Sequence, residues 1–223
     1  MFYDYLTLIG HAALMTLGLA ICSLIVGLLL SIIFTALEAN KYVFIAKPVS
    51  VVIALLRGLP EILVVLLIYF GSTQVVEMLT GEYIEFSAFG CGVFALSLIF
   101  ASYASQTLRG AIQAIPKGQW ESGAALGLSR PYTFINLIMP QVWRHALPGL
   151  SNQWLVLLKD TALVSLIGVD DLMRQAGYIN TNTLSLSLGM ALQHLIYLVI
   201  TLISQAGIRK LELRFTRFER GVE

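Results

Sequence analysis

Charged residues are scarce in this sequence of 223 residues. Asp, Glu, Lys and Arg make up only 12% of it, about half the share found in soluble proteins, whereas 57% is hydrophobic and the mean hydropathy is +0.81. Cysteine is nearly absent, and Cys22 and Cys91 both lie in apolar segments, which argues against a disulfide framework or a cysteine metal site. The composition therefore predicts an all-α, polytopic membrane protein with one domain over residues 1–223.

Motifs for chemical catalysis are also missing. The sequence has no G-x-x-x-x-G-K-[ST] phosphate-binding loop, so we expect any ATP hydrolysis to occur on another chain. His11, His145 and His194 are scattered over three segments and form no Ser/His/Asp set and no metal-ligand spacing. The sequence therefore predicts neither catalytic residues nor a metal centre.

Long apolar stretches divide the chain. A membrane-spanning helix needs about 20 mostly apolar residues. Five stretches are predicted to span, at about residues 9–36, 48–71, 86–108, 146–169 and 186–208. Between them lie a polar turn at 38–47, loops at 72–85 and 170–185, and a longer polar segment at 109–145.

Basic residues are distributed unevenly over these connections. One side holds eleven Lys and Arg residues, whereas the opposite side holds Arg174 alone. The eleven are Lys41, Lys47, Arg109, Lys117, Arg130, Arg144, Arg209, Lys210, Arg214, Arg217 and Arg220. Because Lys and Arg collect on the cytoplasmic side of membranes, we expect the N-terminus outside and both the C-terminus and residues 109–145 in the cytoplasm.

Charged residues interrupt two of the five apolar segments. Arg57 and Glu61 flank Pro60 in the second segment, and Lys159 and Asp160 lie in the fourth. Pro60 lacks an N–H group and breaks a helix, and broken helices often build solute sites near the membrane midplane. Two interpretations of the first cluster remain open: Arg57 and Glu61 neutralise each other, or Glu61 meets a positive group of a solute.

The second cluster needs partners outside itself. Adjacent helical residues point about 100° apart, so Lys159 and Asp160 do not face each other. Charges at membrane depth are costly and usually functional. An amino acid would need both a cation-binding and an anion-binding group, and a cationic side chain would need a further acceptor. The candidate solute-binding residues are Glu61, Asp160, Asn152 and Gln153, with Thr161 and Ser165 as secondary candidates.

The longest break in the apolar sequence covers residues 119–150. Residues 119–128 predict a short helix ended by Gly127, since glycine readily takes the left-handed conformation after a helix. Ser129 suits the N-cap of a second short helix that would run to Pro140, with Pro131 in its first turn. The G-x-x-x-G pattern from Gly123 to Gly127 predicts close packing at a protein contact. These patterns fit either an amphipathic loop on the membrane surface or a rigid projecting element.

The same segment resembles the EAA motif of ABC-importer permeases, which is Glu-Ala-Ala, three residues, Gly, nine residues and Ile-x-Leu-Pro. The spacing matches throughout, and the departures conserve the size class of the side chain. In that family the segment is the coupling helix, which docks into a groove on the ATP-binding subunit. The resemblance implies coupling roles for Glu121, Ser122, Gly123, Gly127, Leu137, Met139 and Pro140.

Further stretches are similar to the polar-amino-acid permeases of type I importers, over about residues 5–220. RGLPEILVV, GQWESG, WRHALPGL and NQWLVLLKDTALVSLI resemble the arginine-importing members in particular. The resemblance implies a type I ABC importer permease fold in the bacterial inner membrane, and import of arginine or another basic or polar amino acid.

The resemblance also implies partners. These are a dimer of ABC ATP-binding subunits carrying ATP and Mg²⁺, a second permease that is a sister or an identical copy, a periplasmic amino-acid-binding protein, and membrane lipid. No cofactor in this chain and no nucleic acid is expected. The alternative is an ATP-independent secondary carrier or channel for a small charged solute, while a passive scaffold leaves the charges inside two spans unexplained.

Overall fold

The computed structural model describes residues 2–183 and 186–215, which consist of helices and the turns between them, without a β-strand. The helices are α1 (Phe2–Glu38), α2 (Val43–Gly58), α3 (Glu61–Thr80), α4 (Ala88–Gln113), α5 (Lys117–Ala125), α6 (Arg130–Thr133), α7 (Met139–Asp160), α8 (Leu172–Thr183) and α9 (Leu186–Phe215). A π-helical turn, Phe134–Ile138, joins α6 to α7, and a 3-10 helix, Thr161–Ile167, follows α7. Arg217 and Arg220, two of the eleven basic residues on the predicted cytoplasmic side, lie outside the described residues.

The core of the molecule is built around α4. This helix packs against α1, α2, α3 and α7, and buried residues occur on nearly all of its faces. A helix that is apolar and buried all round belongs in the interior of a bundle. The position of α4 matters for function, because it forms one wall of the candidate site described below.

A row of small residues on α1 permits the close approach of α1 and α4. Ser23, Gly27, Ser31 and Thr35 recur every four residues and are buried. A Cβ atom on Gly27 would lie 2.7 Å from Cδ1 of Phe100, closer than real side chains tolerate. In a membrane, where lipid is as apolar as the side chains, small residues bring helices together by close packing.

Buried hydroxyl groups line this seam. The Ser97 hydroxyl lies 3.2 Å from the carbonyl oxygen of Ser23, and the Thr35 hydroxyl lies 3.2 Å from that of Ser105. Each hydroxyl also donates over a shorter distance, 2.6 Å and 2.7 Å, to a carbonyl oxygen one turn earlier in its own helix. The two hydroxyls are thus satisfied within their helices and make a second, longer contact between α1 and α4.

The end of α1 is fastened to α2 and α4 by Glu38, whose side chain is 8% exposed. Its Oε1 lies 2.7 Å from Nη1 of Arg109 and accepts a hydrogen bond from the Ser50 hydroxyl at 2.8 Å. Its Oε2 accepts a hydrogen bond from Nε2 of Gln106 at 2.8 Å. Hydrogen bonds to charged groups are the stronger ones, so this carboxylate fixes the end of α1 to the middle of α2 and to the last turns of α4.

The second predicted span, 48–71, is divided between two helices at the predicted break. Helix α2 ends at Gly58, Leu59 is extended, and α3 begins directly after Pro60 because Pro60 can donate no backbone hydrogen bond. Helix α3 then continues through most of the predicted loop 72–85. It stops at Gly81, whose φ of 74° is the left-handed conformation that glycine favours.

Other helices also extend into segments predicted as loops. Helix α4 continues past Arg109 to Gln113, α7 already begins at Met139, and α8 occupies most of 170–185. Polar residues show where a helix leaves an apolar environment, but they do not end it. Among the described residues, three helical stretches are long and apolar enough to cross a membrane: Thr7–Glu38, Glu61–Thr80 and Ala88–Gln113.

The seam between α1 and α4 predicts a difference between two glycines of α1. Gly27→Ala should destabilise the protein by about 1–3 kcal/mol, because its methyl group collides with Phe100. Gly18→Ala should be neutral or stabilising, because no other group lies within 4 Å of that position and alanine favours the helix. The measurement is thermal unfolding of the purified protein in detergent, and equal midpoints for the two variants would contradict the close approach.

Candidate functional site

A cavity of about 320 Å³ lies between α3, α4 and α7. This is within the usual size range of small-molecule sites. The lining residues are Glu61, Ile99, Phe100, Tyr103, Asn152, Gln153, Val156, Leu157 and Asp160. The structure therefore brings four of the six predicted solute-binding residues into one cavity.

The two carboxylates of the cavity come from different helices. Glu61 is the first residue of α3, so the break at Pro60 determines its position, and Asp160 is the last residue of α7. Among the described residues that line the cavity, none is basic. Unpaired charges at membrane depth are costly, so the cavity suits a guest that carries positive charge.

Thr161 and Ser165 are placed outside this cavity. The buried Thr161 hydroxyl donates to the carbonyl oxygen of Leu158 at 2.8 Å and lies 3.4 Å from the hydroxyl of Tyr197. The Ser165 hydroxyl donates to the carbonyl oxygen of Ala162 at 2.7 Å. Both hydroxyls are thus satisfied by backbone carbonyl oxygens three residues earlier, that of Thr161 by the last turn of α7 and that of Ser165 within the 3-10 helix.

Arg57 does not neutralise Glu61. In the described part of the chain the two residues form no ion pair, and the guanidinium of Arg57 lies over the ring of Tyr103, 5.3 Å from its centroid. The Tyr103 hydroxyl donates to the carbonyl oxygen of Arg57 at 3.4 Å, a carbonyl at the break between α2 and α3. Glu61 is therefore available to another cation.

Tyr103 is a cavity residue that the sequence analysis missed. It holds Arg57 at the helix break and also lines the cavity beside Glu61. One signal could have identified it: Tyr103 is the only tyrosine in the uncharged segment 86–108. A buried tyrosine usually needs a hydrogen-bond partner for its hydroxyl group.

The predicted end of the first short helix is confirmed. Gly127 has φ 71°, and its N–H donates to the carbonyl oxygen of Ala124 at 3.0 Å. The N–H of Leu128 donates to the carbonyl oxygen of Gly123, also at 3.0 Å. These two bonds form a Schellman motif, which requires the left-handed glycine. Helix α5 therefore ends in a sharp and well-defined turn.

The second short helix was predicted to end at Pro140, but the helical backbone continues beyond it. Ser129 occupies the N-cap position without a side-chain capping bond, and Pro131 lies in the first turn of α6. The helical backbone then runs through the π-helical turn into α7. Pro140 is tolerated because it lies in the first turn of α7, where an N–H is dispensable.

Helices α5 and α6 pack closely on each other. A Cβ atom on Gly123 would lie 2.6 Å from Cγ2 of Thr133, and the rings of Trp120 and Phe134 stack with centroids 6.0 Å apart. Of the G-x-x-x-G pattern, Gly123 is closely packed, within this chain, whereas a Cβ atom on Gly127 would meet nothing within 4 Å. The contact with Thr133 also explains why glycine stands at position 123, where the EAA motif has alanine.

The two helices enclose a cleft of about 510 Å³. Its lining includes the aromatic ring of Trp120 and the charged side chains of Lys117, Glu121 and Arg130. Of the predicted coupling residues, Glu121, Ser122, Gly127 and Pro140 are exposed, Leu137 and Met139 are half-buried, and Gly123 is buried. The segment therefore presents a surface of mixed charge with a rigid shape.

Three comparisons with known proteins bear on this geometry. The arginine ABC transporter permease protein ArtQ of Haemophilus influenzae is 76% identical over the full length of both chains, and ArtQ of Escherichia coli (strain K12) is 54% identical, covering 95% of this chain and 96% of that protein. A crystal structure of an amino acid ABC transporter with histidines is similar with a TM-score of 0.84, at 31% identity over 96% of each chain.

The inward-facing MetNI methionine ABC transporter is similar with a TM-score of 0.75. At 15% identity over 95% of this chain and 97% of that chain, it shows the fold alone. Residues 27–217 match the family described as binding-protein-dependent transport system inner membrane component. The chain, with its cavity between two carboxylates and its EAA-like segment, therefore belongs to the inner membrane components of binding-protein-dependent transport systems.

Proposed function

We propose that this chain forms the pathway for arginine in an ATP-driven importer, together with a second permease subunit. The observation that carries the proposal is the pairing of Glu61 and Asp160 in one cavity that has no basic lining residue among those described. Arginine carries two positive groups, its α-ammonium and its guanidinium, which match two carboxylates. Two relatives, 76% and 54% identical, are named as arginine permeases.

The other lining residues suit the rest of the arginine molecule. Its carboxylate requires hydrogen-bond donors, which the NH₂ group of Asn152 can supply. The aliphatic part of its side chain can pack against apolar wall residues such as Phe100 and Val156. A mostly apolar pocket with a few placed polar groups is the usual form of a small-molecule site.

ATP hydrolysis belongs to a separate subunit, since the homologues are permease subunits of ABC transporters. Our proposal is that α5 and the cleft beside Glu121 dock on a dimer of such ATP-binding subunits, which hold ATP and Mg²⁺. Five membrane crossings, with the N-terminus outside, would place this segment in the cytoplasm, in agreement with the distribution of Lys and Arg. Family membership favours this importer over an ATP-independent carrier or channel.

A periplasmic binding protein would deliver arginine to the opposite face. Glu77, Glu82 and Glu85 are exposed near the turn between α3 and α4 and suit a basic patch on such a protein. Asp171 is unsuitable because it is fully buried, and burial raises the pKa of its carboxyl group to about 6. It instead accepts a hydrogen bond from the N–H of Arg174 at 3.0 Å, in the first turn of α8.

Substitution of Asp160 tests the solute site. Asp160→Asn removes a negative charge without changing the size of the side chain, and one hydrogen bond to a charged group is worth about 1.5–3 kcal/mol. Uptake of radiolabelled arginine by the reconstituted importer should fall about tenfold or more, while the complex assembles normally. Asp170→Asn, at an exposed position outside the cavity, should transport normally. Wild-type uptake by Asp160→Asn would remove Asp160 from the site.

Substitution of Glu121 tests the docking surface. Glu121→Lys reverses the charge of an exposed residue in the cleft, so it should weaken binding of the ATP-binding subunit without unfolding the permease. The measurement is co-purification of that subunit with tagged permease. Glu77→Lys makes the same change at the far end of α3 and should leave recovery unchanged. Equal recovery of the ATP-binding subunit with both variants would count against docking at Glu121.

A further inference from the structure

The amide of Gln153 is anchored at one of its two polar ends. Its Nε2 donates a hydrogen bond to the hydroxyl oxygen of Thr107 on α4 at 2.8 Å. Its Oε1 is buried and has no hydrogen-bond partner among the described residues. Gln153 lines the cavity, whereas Thr107 is not among its lining residues. A buried acceptor without a donor costs free energy, so this oxygen is satisfied only by a guest or by a movement of the cavity walls.

The hydroxyl of Thr107 determines which end of the amide it can bind. A threonine hydroxyl has a single hydrogen to donate and two lone pairs to accept with. Thr107 donates that hydrogen to the carbonyl oxygen of Tyr103, one helical turn earlier, at 3.3 Å. While it donates within α4, the hydroxyl acts as an acceptor towards α7. In this arrangement the NH₂ group of Gln153 faces Thr107, and the amide oxygen faces away from it.

A glycine on α7 makes this contact possible. A Cβ atom on Gly149 would lie 2.6 Å from Cγ2 of Thr107, so only glycine permits α4 and α7 to approach this closely here. Gln153 follows Gly149 by one helical turn, on the same face of α7. Thr107, Gly149 and Gln153 thus pack together, with Gln153 in the cavity wall and the other two behind it.

We propose that Thr107 is a positioning residue that holds Gln153 as a hydrogen-bond acceptor for the cationic end of the transported amino acid. This inference rests on the proposed function and adds a determinant of specificity that lies outside the cavity lining. A guanidinium or ammonium group has only donors, so it matches an oxygen held in one orientation. Neutral analogues that present an acceptor at the same place are disfavoured.

The experiment compares two substitutions of Thr107 in the assembled importer. Thr107→Val keeps the shape but cannot accept a hydrogen bond, so the amide of Gln153 can rotate by 180° and lose its fixed polarity. Thr107→Ser keeps the hydroxyl. The measurement is equilibrium binding of L-arginine and of L-citrulline, a neutral ligand of nearly the same shape with a ureido oxygen in place of one guanidinium nitrogen. Thr80→Val serves as the matched control. The Thr80 hydroxyl likewise donates to a carbonyl oxygen one helical turn earlier, but Thr80 lies on α3, outside the cavity lining.

The expected result is a change in preference. Thr107→Val should lower the ratio of arginine to citrulline affinity by about tenfold, whereas Thr107→Ser and Thr80→Val should preserve it. In a Gln153→Leu background, Thr107→Val should have little further effect, since Thr107 acts through Gln153. An equal loss of affinity for both ligands, or the same loss with and without Gln153, would overturn the proposal, because either result indicates only structural damage.

The outcome for the wild-type protein separates this inference from the proposed function. If the wild-type importer binds another amino acid but not arginine, the proposed substrate is wrong. The Thr107 and Gln153 variants are then compared with two other ligands. One is the amino acid that binds, and the other is an analogue of the same shape that lacks the group donating to Gln153. If Thr107→Val changes the ratio of the two affinities only when Gln153 is present, the positioning role is supported. If the effect does not depend on Gln153, the positioning role is overturned.

Discussion

The structure depends on one unbroken helical backbone that runs over residues 130–167, through α6, the π-helical turn, α7 and the 3-10 helix. At one end, α5 is fastened to it by the contact of Gly123 with Thr133 and by the stacked rings of Trp120 and Phe134. Near the other end, Asp160 faces the cavity. At 1.5 Å per residue the backbone from Arg130 to Asp160 spans on the order of 45 Å. This segment therefore connects the proposed docking surface on α5 with the cavity.

The opposite wall of the cavity depends on a different constraint, the missing N–H of Pro60. It separates α2 from α3 and places Glu61 at the start of α3, and Tyr103 occupies the break by binding the carbonyl oxygen of Arg57. Helix α4, which carries Tyr103, is held in turn by the close seam with α1. The two carboxylates thus lie on two separately supported elements, Glu61 at the start of α3 and Asp160 at the end of α7.

The sequence was sufficient for the features that carry a strong physical penalty. A charge in an apolar segment needs a partner, which pointed to Glu61 and Asp160, and the backbone requirements of Pro60 and Gly127 gave the break and the helix end. Neutral contacts have no such signature. Thr107 is an ordinary residue in sequence and only its neighbours in space reveal a role, whereas Tyr103 stands out only as the one tyrosine of the uncharged segment 86–108. Thr161 and Ser165, the secondary candidates, instead donate their hydroxyl hydrogens to backbone carbonyl oxygens three residues earlier. The end of the second short helix was misplaced, and several helices continue into segments predicted as loops, because polar residues do not by themselves end a helix.

The central claim is that the solute lies between Glu61 and Asp160, in the cavity at the end of α7 that is farther from α5. The most direct measurement is an experimental structure of the assembled importer, determined with arginine and with ATP hydrolysis blocked. The account predicts density for arginine in this cavity, with its positive groups at the two carboxylates. Arginine bound elsewhere in the complex, with this cavity filled by side chains of the second permease, would contradict it.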